Sequence, residues 1–164
     1  MSVAFMKEES AEAAAETLLP DRPISSHPNL VTEAGLRALE KQLEQAREAF
    51  TKANTLDDVN ERRRQTANPL RDLRYYAERV RSAQVVPLPT SNDVIAFGCT
   101  VTFRRNDGRV QEYQIVGEDE ADPTSGTISY VSPVARKLMG RTVGDVVIVG
   151  NQELEITAIK GVGG

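Results

Sequence analysis

Residues Gly117–Val146 read GEDEADPTSGTISYVSPVARKLMGRTVGDV, and this stretch decides the fold of the C-terminal half of the chain. It begins with an acidic turn and a glycine-bounded hairpin signal. Ser132 and Pro133 then form a helix start, because Ser caps a helix N-terminus well and Pro is tolerated in its first position. The helix should end at Gly140, a natural C-cap, and Gly144 marks a turn before an apolar run. The stretch contains no His or Cys, so it predicts strands, turns and one short helix rather than a catalytic site.

The neighbouring sequence predicts further strands of the same domain. Asp107-Gly108 is a strong hairpin-turn signal between Val101–Arg105 and Val110–Val116. The other predicted elements are strands at Thr127–Val131, Asp145–Val149 and Glu153–Ile159, and one helix at Pro133–Met139. Strands with one short helix indicate an α+β domain, which we place at residues 91–164.

An antiparallel helical hairpin (a coiled coil) is predicted for residues 32–84. Thr32 is the candidate N-cap, and the positions that follow step alternately by three and four residues, which forms a narrow seam on one side of a helix. The first seam is Leu36, Leu39, Leu43, Ala46, Phe50 and Ala53, and the second is Val59, Arg63, Thr66, Leu70, Leu73, Ala77 and Val80. Folding one seam onto the other pairs Leu43 with Leu73 and places the reversal within residues 55–58.

Pro69 disturbs the second helix of this hairpin. It cannot donate to the carbonyl of Gln65, and its ring clashes with the preceding turn. Either the helix kinks at Pro69, or Asn68 caps a fresh helix with Pro69 in its first position. We expect a kink or a break, and we expect the half nearest the tip to be the least stable part of the hairpin.

The remaining segments differ in composition. Residues 1–31 are rich in Ala, Glu, Ser and Pro, and we expect a flexible tail with a transient helical turn near Ala11–Leu18. A short partner-binding motif is the alternative for this tail. Residues 85–90, VVPLPT, should form a stiff linker.

Composition narrows the classes of function. The 164 residues carry a net charge of −4 and 27% charged residues, with a mean hydropathy of −0.38. No segment has the roughly 20 apolar residues of a membrane span, and the acidic N-terminus differs from a secretory signal, so we expect a cytoplasmic protein. Cys99 should be a small buried hydrophobe, and with His27 far away it cannot form a zinc site. No segment is basic enough for autonomous binding of duplex DNA.

Three carboxylates lie at the predicted hairpin tip: Asp57, Asp58 and Glu61. Residues three apart share a face of a helix, so two or three of these groups could hold a hard divalent cation, most simply a magnesium ion shared with another site. The alternative is helix capping, because an Asp at a helix N-terminus interacts favourably with the helix dipole. Three arginines follow at residues 62–64 and would partly neutralise the cluster, so the residues alone favour capping.

The motifs together resemble the GreA/GreB family of bacterial transcription elongation factors. The resemblance covers residues 32–160 in layout and is most specific at GEDEAD, ISYVSPVARKLMG and VGDVV; DLRYYAERVRSAQVV, at Asp72–Val86, matches the end of the second hairpin helix. It implies an FKBP-like C-terminal domain that docks at the rim of the RNA polymerase secondary channel. It also implies a hairpin that enters the channel, where acidic tip residues help to hold the catalytic magnesium during cleavage of backtracked RNA.

The family's tip pattern, D-x-x-E, falls on Asp58 and Glu61, and Asp57 lies beside them. The resemblance implies that this tip shares Mg²⁺ with RNA polymerase and that the chain, a monomer, has no catalytic residue or metal of its own and contacts nascent RNA only indirectly. The polymerase-docking residues that it implies are Asp119, Glu120, Asp122, Ser132 and Pro133.

Two departures separate the chain from cleavage-competent members of that family. Their tip motif, close to G-D-L-x-E-N, is replaced here by LDDVNER at residues 56–62. The hairpin is also about a heptad shorter per arm, which reduces its reach by roughly 10 Å. Because a misplacement of about 1 Å already slows an enzyme reaction strongly, we expect docking on polymerase more firmly than RNA cleavage.

Three alternatives of function stay open at this point. The first is a non-cleaving secondary-channel regulator that resembles the regulator of nucleoside diphosphate kinase. The second is a peptidyl-prolyl isomerase, which would need an aromatic pocket. The third is a plain coiled-coil adaptor. The aromatic side chains available to an isomerase pocket are Phe97, Phe103, Tyr113 and Tyr130.

Overall fold

The computed structural model describes residues 19–161 of the chain. The helices are α1, Glu33–Ala53, α2, Val59–Ser82, and α3, Pro133–Leu138, with one short 3-10 turn at Pro123–Ser125. The strands are β1, Leu30–Val31, β2, Gln84–Val85, β3, Thr100–Arg105, β4, Val110–Val116, β5, Thr127–Ser129, β6, Val146–Val149, and β7, Gln152–Lys160. None of the helices within residues 19–161 is long and apolar enough to cross a membrane.

The described residues fall into two units. The hairpin unit contains Leu39–Ser82 and the described residues up to Ser25. The sheet unit contains Ser26–Ala38 and the described residues from Ala83 onward. The fold is therefore a helical hairpin followed by a strand-rich α+β domain, as the sequence predicts.

Within the hairpin unit, α1 buries the predicted seam. Leu39, Leu43 and Ala46 are 3%, 8% and 6% exposed, while the intervening side chains lie in solvent. This stripe matches the helical period of about 3.6 residues and provides the apolar surface on which a hairpin depends. The tip is poorly buried, since Val59 is 51% exposed, so the weakly apolar end of the seam stays at the surface.

Pro69 lies inside α2 without ending it. The helix runs from Val59 to Ser82 in one piece, so the predicted alternative of a fresh helix capped by Asn68 is wrong. A proline removes one backbone hydrogen bond, but the flanking turns retain theirs and keep the helix together. The predicted kink at this residue stays a prediction.

Part of the predicted flexible tail is packed against α2. Arg22 forms an ion pair with Asp72 at 3.2 Å, and its guanidinium lies over the ring of Tyr75 at 3.8 Å from the centroid. A hydrogen bond with Tyr76 raises the pKa of Arg22, with Asp72 acting in the same direction. Residues 21 and 22 therefore belong to the hairpin unit rather than to a free tail. The predicted helical turn near Ala11–Leu18 lies outside the described residues.

A two-residue parallel ladder opens the sheet unit. Leu30 pairs with Gln84 and Val31 pairs with Val85. The amide of Gln84 donates to the carbonyl of Asn29 at 2.8 Å, so the ladder is continued at one end. The end of the predicted tail is therefore paired, strand to strand, with the start of the predicted linker. The composition of neither segment predicts this pairing.

The main sheet has five strands in the order β5-β4-β3-β7-β6, all antiparallel except the β4–β5 pair. Asp107-Gly108 forms the predicted hairpin turn, with Gly108 at a φ of 88° and its amide bonded to the Arg105 carbonyl.

The helix α3 contributes to the core of the sheet unit, because its Ala135 and Leu138 are fully buried. The buried core of this unit is Ile95, Cys99, Val101, Phe103, Ile115, Ile128, Ala135, Leu138, Val147, Leu154, Ile156 and Ile159.

The first prediction concerns Arg22. We expect Arg22→Ala to lower the free energy of unfolding of the hairpin by about 1 kcal/mol, because it removes a cation–π contact and a partly screened ion pair together. Urea unfolding followed by circular dichroism at 222 nm measures this change. Arg74→Ala is the matched control, since Arg74 pairs with Asp21 at 3.4 Å but is 57% exposed, and we expect a loss below about 0.5 kcal/mol. Equal losses in the two variants would contradict the packing role of Arg22.

The second prediction concerns Gly117. A Cβ atom at this position would lie 2.2 Å from the backbone carbonyl oxygen of Leu30, which cannot swing aside as a side chain could. We expect Gly117→Ala to destabilise the sheet unit by about 1–3 kcal/mol through overpacking, measured by urea unfolding. Asp119→Asn, an exposed and nearly isosteric change in the same loop, should alter stability by less than about 0.5 kcal/mol. A Gly117→Ala protein as stable as the parent would show that β1 does not press on this loop.

Candidate functional site

Asp58 directly precedes α2 and caps its N-terminus. Its Oδ1 accepts a hydrogen bond from the amide of Glu61 at 2.8 Å, and its carbonyl accepts from the amide of Arg62 at 2.8 Å. Both are the bonds of an N-cap residue, which satisfies amides that have no partner within the helix. The capping interpretation of Asp58 is therefore correct, and its exposed carboxylate keeps a second oxygen for other contacts.

Glu61 is held by two neighbours on the first turns of α2. Its carboxylate accepts from Gln65 Nε2 and from Arg64 Nη2, each at 2.8 Å. The hydrogen bond from Gln65 and then the one from Arg64 lower the pKa of Glu61 below its ordinary value. A lowered pKa means that these contacts stabilise the fold above the ordinary pKa of Glu and that this contribution is lost as the pH falls through the lowered value. Glu61 is therefore ionised at neutral pH.

Asp57 completes the tip. It is exposed and makes no hydrogen bond or ion pair with any residue in the range 19–161. Within that range no three His, Cys, Asp or Glu side chains form a group that could hold a metal ion. A divalent cation at this tip would therefore need ligands from a second molecule, in addition to the carboxylates of Asp57 and Asp58.

An apolar groove lies behind these carboxylates, and sequence reasoning did not predict it. Its volume is about 430 Å³, and it is bounded by small or apolar side chains of α1 and of the loop, with Pro69 on the α2 side. The lining residues are Ala49, Lys52, Ala53, Leu56, Glu61, Gln65 and Pro69. The repeated alanines were the available signal, since small side chains at a helix seam leave space.

The second candidate region lies at one edge of the sheet. β4 and β5 are parallel, with Val116 opposite Ser129, and the amide of Tyr130 donates to the carbonyl of Val116 at 2.9 Å. The carboxyl ends of parallel strands meet at the same edge, so the acidic loop after β4 and the helix start after β5 are neighbours. The structure thus brings together two motifs that are separated in the sequence.

Two of the predicted docking residues, Glu120 and Asp122, form hydrogen bonds within the sheet unit. Glu120 accepts from the hydroxyl of Thr32 at 2.6 Å. Asp122 caps the 3-10 turn and accepts hydrogen bonds from the hydroxyls of Thr124 and Ser125, each at 2.7 Å. The hydrogen bond from Thr124, followed by that from Ser125, lowers the pKa of Asp122. Asp119 and Asp122 are exposed, and Glu120 is partly buried.

Ser132 and Pro133 open α3 as predicted. The Ser132 hydroxyl donates to the carbonyl of Ser129 at 2.7 Å and accepts from the amide of Ala135 at 3.3 Å. Pro133 follows in the first turn and is exposed. The Ser132 hydroxyl is therefore occupied by two hydrogen bonds within the fold, while the proline ring is exposed to solvent.

The stretches of sequence that match known proteins include both regions. Residues 90–160 match the family described as "Transcription elongation factor, GreA/GreB, C-term". Over 136 residues the chain is 31% identical to transcription elongation factor GreB of Haemophilus ducreyi, an alignment that covers 74% of this chain and 84% of that one. The chain belongs to the GreA/GreB family of transcription elongation factors.

A second curated relative supports the same assignment. Transcription elongation factor GreA of Pseudomonas aeruginosa is 35% identical over 152 residues, which cover 79% of this chain and 96% of that one. The crystal structure of GreA factor homolog 1 of Thermus thermophilus is 26% identical and covers 82% of this chain and 100% of that one, with a TM-score of 0.39. Because the alignments with the Haemophilus GreB and the Pseudomonas GreA are longer than residues 90–160, the family relationship extends beyond the C-terminal domain into the preceding part of the chain.

In this GreA/GreB family member, the four aromatic side chains considered for an isomerase pocket lie in the core of the sheet unit or pack against it. Phe97 and Phe103 are 6% and 0% exposed. Phe97 packs edge-to-face on Tyr130, with 5.7 Å between ring centroids, and Phe103 stacks on Tyr113 at 6.0 Å. Rings that fill a core do not line an open pocket, so these side chains offer no support for a prolyl isomerase site.

The third prediction concerns the cap at the tip. We expect Asp58→Ala to lower the stability of the hairpin by about 1 kcal/mol, because one helix amide loses its partner. Asp58→Asn retains an acceptor oxygen and should change the stability by only a few tenths of a kcal/mol. Urea unfolding at neutral pH, followed by the helical signal, distinguishes the two. A loss of the same size in both variants would mean that the charge, rather than the cap, stabilises this helix.

Proposed function

We propose that this protein is an elongation factor that binds RNA polymerase as a monomer at its secondary channel and regulates elongation from there. The observation that carries the proposal is membership of the GreA/GreB family over alignments that include residues outside the C-terminal domain. The factor has no catalytic centre of its own in this account and acts through the active site of the polymerase.

The sheet edge formed after β4 and β5 is the proposed docking surface. The acidic loop and the start of α3 lie together there, which supports a single contact area. Asp119, Asp122 and the ring of Pro133 are the exposed members of the proposed set, so they make the direct contacts. Ser132 and Asp122 shape the surface through the caps that they form.

The hairpin tip is the proposed regulatory element. Asp57 and the second oxygen of Asp58 face solvent and are available to a Mg²⁺ ion that the polymerase also ligates. The contacts of Glu61 with Arg64 and Gln65 are exposed and local, and exposed ion pairs contribute little to stability. Glu61 can therefore exchange these partners for the shared cation at little cost.

A second candidate function is regulation of the channel without cleavage. It is favoured by one specific observation: Asp58 is used as a helix cap and Glu61 is paired with Arg64, so two of the three tip carboxylates already have partners. In that case the hairpin occupies the channel, and nucleotide entry or backtracking changes while the RNA stays intact.

The fourth prediction tests both candidates with RNA polymerase elongation complexes stalled in a backtracked register. The tip variant is Asp57→Asn, Asp58→Asn and Glu61→Gln, which removes three charges but keeps the helix cap. The control variant is Glu40→Gln, Glu44→Gln and Glu48→Gln, the same charge change on exposed positions of α1. If the tip shares the magnesium ion, RNA cleavage should fall about 10- to 100-fold in the tip variant alone.

Binding is measured first, by co-elution of each protein with core polymerase. Absence of co-elution for the parent protein at micromolar concentration would contradict the proposed function. Co-elution without cleavage by the parent protein assigns the non-cleaving role. An equal loss of cleavage in the tip and control variants would show that net charge, rather than the tip, is responsible.

A further inference from the structure

Thr32 joins the start of α1 to the acidic loop of the sheet unit. Its side chain is buried, with only 3% of the residue exposed. Its Oγ1 accepts the amide of Gly35 at 2.9 Å, which caps α1, and donates to Oε1 of Glu120 at 2.6 Å. One hydroxyl therefore satisfies the helix end and reaches a residue 88 positions away, and all three residues belong to the sheet unit.

Two glycines make this approach possible. A Cβ atom at Gly35 would lie 2.6 Å from Oε1 of Glu120, and one at Gly117 would lie 2.2 Å from the carbonyl oxygen of Leu30. A larger residue at Gly35 would displace the carboxylate of Glu120 from Thr32, and one at Gly117 would push the loop away from the backbone of β1. The sequence thus leaves space for the Thr32–Glu120 contact on both sides of the loop.

The contact is also favourable electrostatically. The first turn of a helix carries partial positive charge on its free amides, and a carboxylate placed there is stabilised. Glu120 lies beside Thr32 and Gly35, so its charge faces this end of α1. A hydrogen bond to an ionised acceptor is shorter and stronger than one between neutral groups, in agreement with the 2.6 Å distance.

The Thr32–Glu120 hydrogen bond borders an open cavity. The cavity has a volume of about 380 Å³ and lies between the first turn of α1 and the segment that follows β2. Arg37 and Leu88 line it together with Thr32 and Glu120. On this side the hydrogen bond is therefore a specific link between the loop and the helix.

We infer that Glu120 is a positioning residue of the factor rather than a docking residue. It keeps the first turn of α1 seated on the sheet unit, next to the loop that presents Asp119. α1 runs without interruption from this turn to Ala53, so Glu120 fixes the point from which the hairpin helix starts. The inference rests on the proposed function, in which polymerase holds the loop and responds to the hairpin.

The test uses a substitution that keeps the cap of α1 and turns the attractive contact with Glu120 into a repulsive one. Thr32→Asp retains an oxygen that caps α1, but places a carboxylate against that of Glu120, and like charges repel. Glu120→Gln alone keeps an acceptor for the Thr32 hydroxyl and is the matched control. In the double variant the introduced amide donates to the introduced carboxylate, so the contact is restored.

The first measurement needs no polymerase. The amide of Val86 donates to the carbonyl of Val31 at 2.9 Å, directly before Thr32, so its hydrogen exchange reports whether this region stays seated. We expect Thr32→Asp to accelerate exchange at Val86 about tenfold or more, as loss of a hydrogen bond to a charged group implies. Glu120→Gln and the double variant should exchange at nearly the parent rate.

The second measurement separates positioning from docking. Polymerase affinity and the maximal effect on elongation at saturating factor are determined for the full-length proteins. We expect Thr32→Asp to reduce the maximal effect severalfold with affinity unchanged within about twofold, and the double variant to restore it. Weaker affinity in Glu120→Gln with unchanged exchange at Val86 would identify Glu120 as a docking residue and overturn the inference.

The two proposals fail in different ways. Failure of the parent protein to bind polymerase would end the proposed function, while exchange at Val86 would still decide whether Glu120 seats the helix. Unchanged exchange in Thr32→Asp, or a double variant that exchanges as fast as Thr32→Asp alone, would overturn the positioning role whatever the polymerase result.

Discussion

The short parallel ladder between β1 and β2 is the constraint on which the rest of the structure depends. A helical hairpin needs its two ends side by side, and Leu30 and Val31 precede α1 while Gln84 and Val85 follow α2. Two residues per strand could not form a stable sheet alone. The ladder persists because Gly117 lets the loop after β4 press on Leu30, and because Thr32 is tied to Glu120 directly after β1. Both ends of the hairpin sequence thereby start from the sheet unit.

The acidic residues of this chain illustrate how charge is used for structure before it is used for binding. Asp58 caps α2, Asp122 caps a 3-10 turn, and Glu120 accepts from the hydroxyl that caps α1. Each lies at a helix start, where free amides attract a carboxylate. The sequence GEDEAD therefore contains acidic residues with different tasks: Glu120 and Asp122 support helix starts, while Asp119 and Asp122 are exposed.

Local chemistry explains which parts of the fold were predictable. The Asp107-Gly108 turn, the Ser132 cap and the Thr32 cap depend on residues within four positions, and all three are present. β5 ends at Ser129 instead of the predicted Val131, because the amide of Ser132 turns back to the Ser129 carbonyl. The Arg22 contacts, the two-residue strands and the Thr32–Glu120 pair depend on residues 50 to 88 positions apart, for which a single sequence carries no local signal. Pro69 was misjudged in one alternative because neighbouring turns hold the helix together despite a strong local breaker.

Within residues 19–161, the hydrogen bonds of the hairpin tip join residues that are close in the sequence. Asp58 bonds to the third residue after it, Glu61 bonds to the third and fourth residues after it, and Arg62 donates to the carbonyl of Leu56. Such exposed bonds contribute little individually, and none ties the tip to a distant element. A partner that offers a cation or new hydrogen bonds can therefore replace them without unfolding the helices. The ligands and hydrogen bonds of this tip therefore depend on the partner that it binds. The position of the first turn of α1, in contrast, is fixed within the chain by the hydrogen bonds of Thr32.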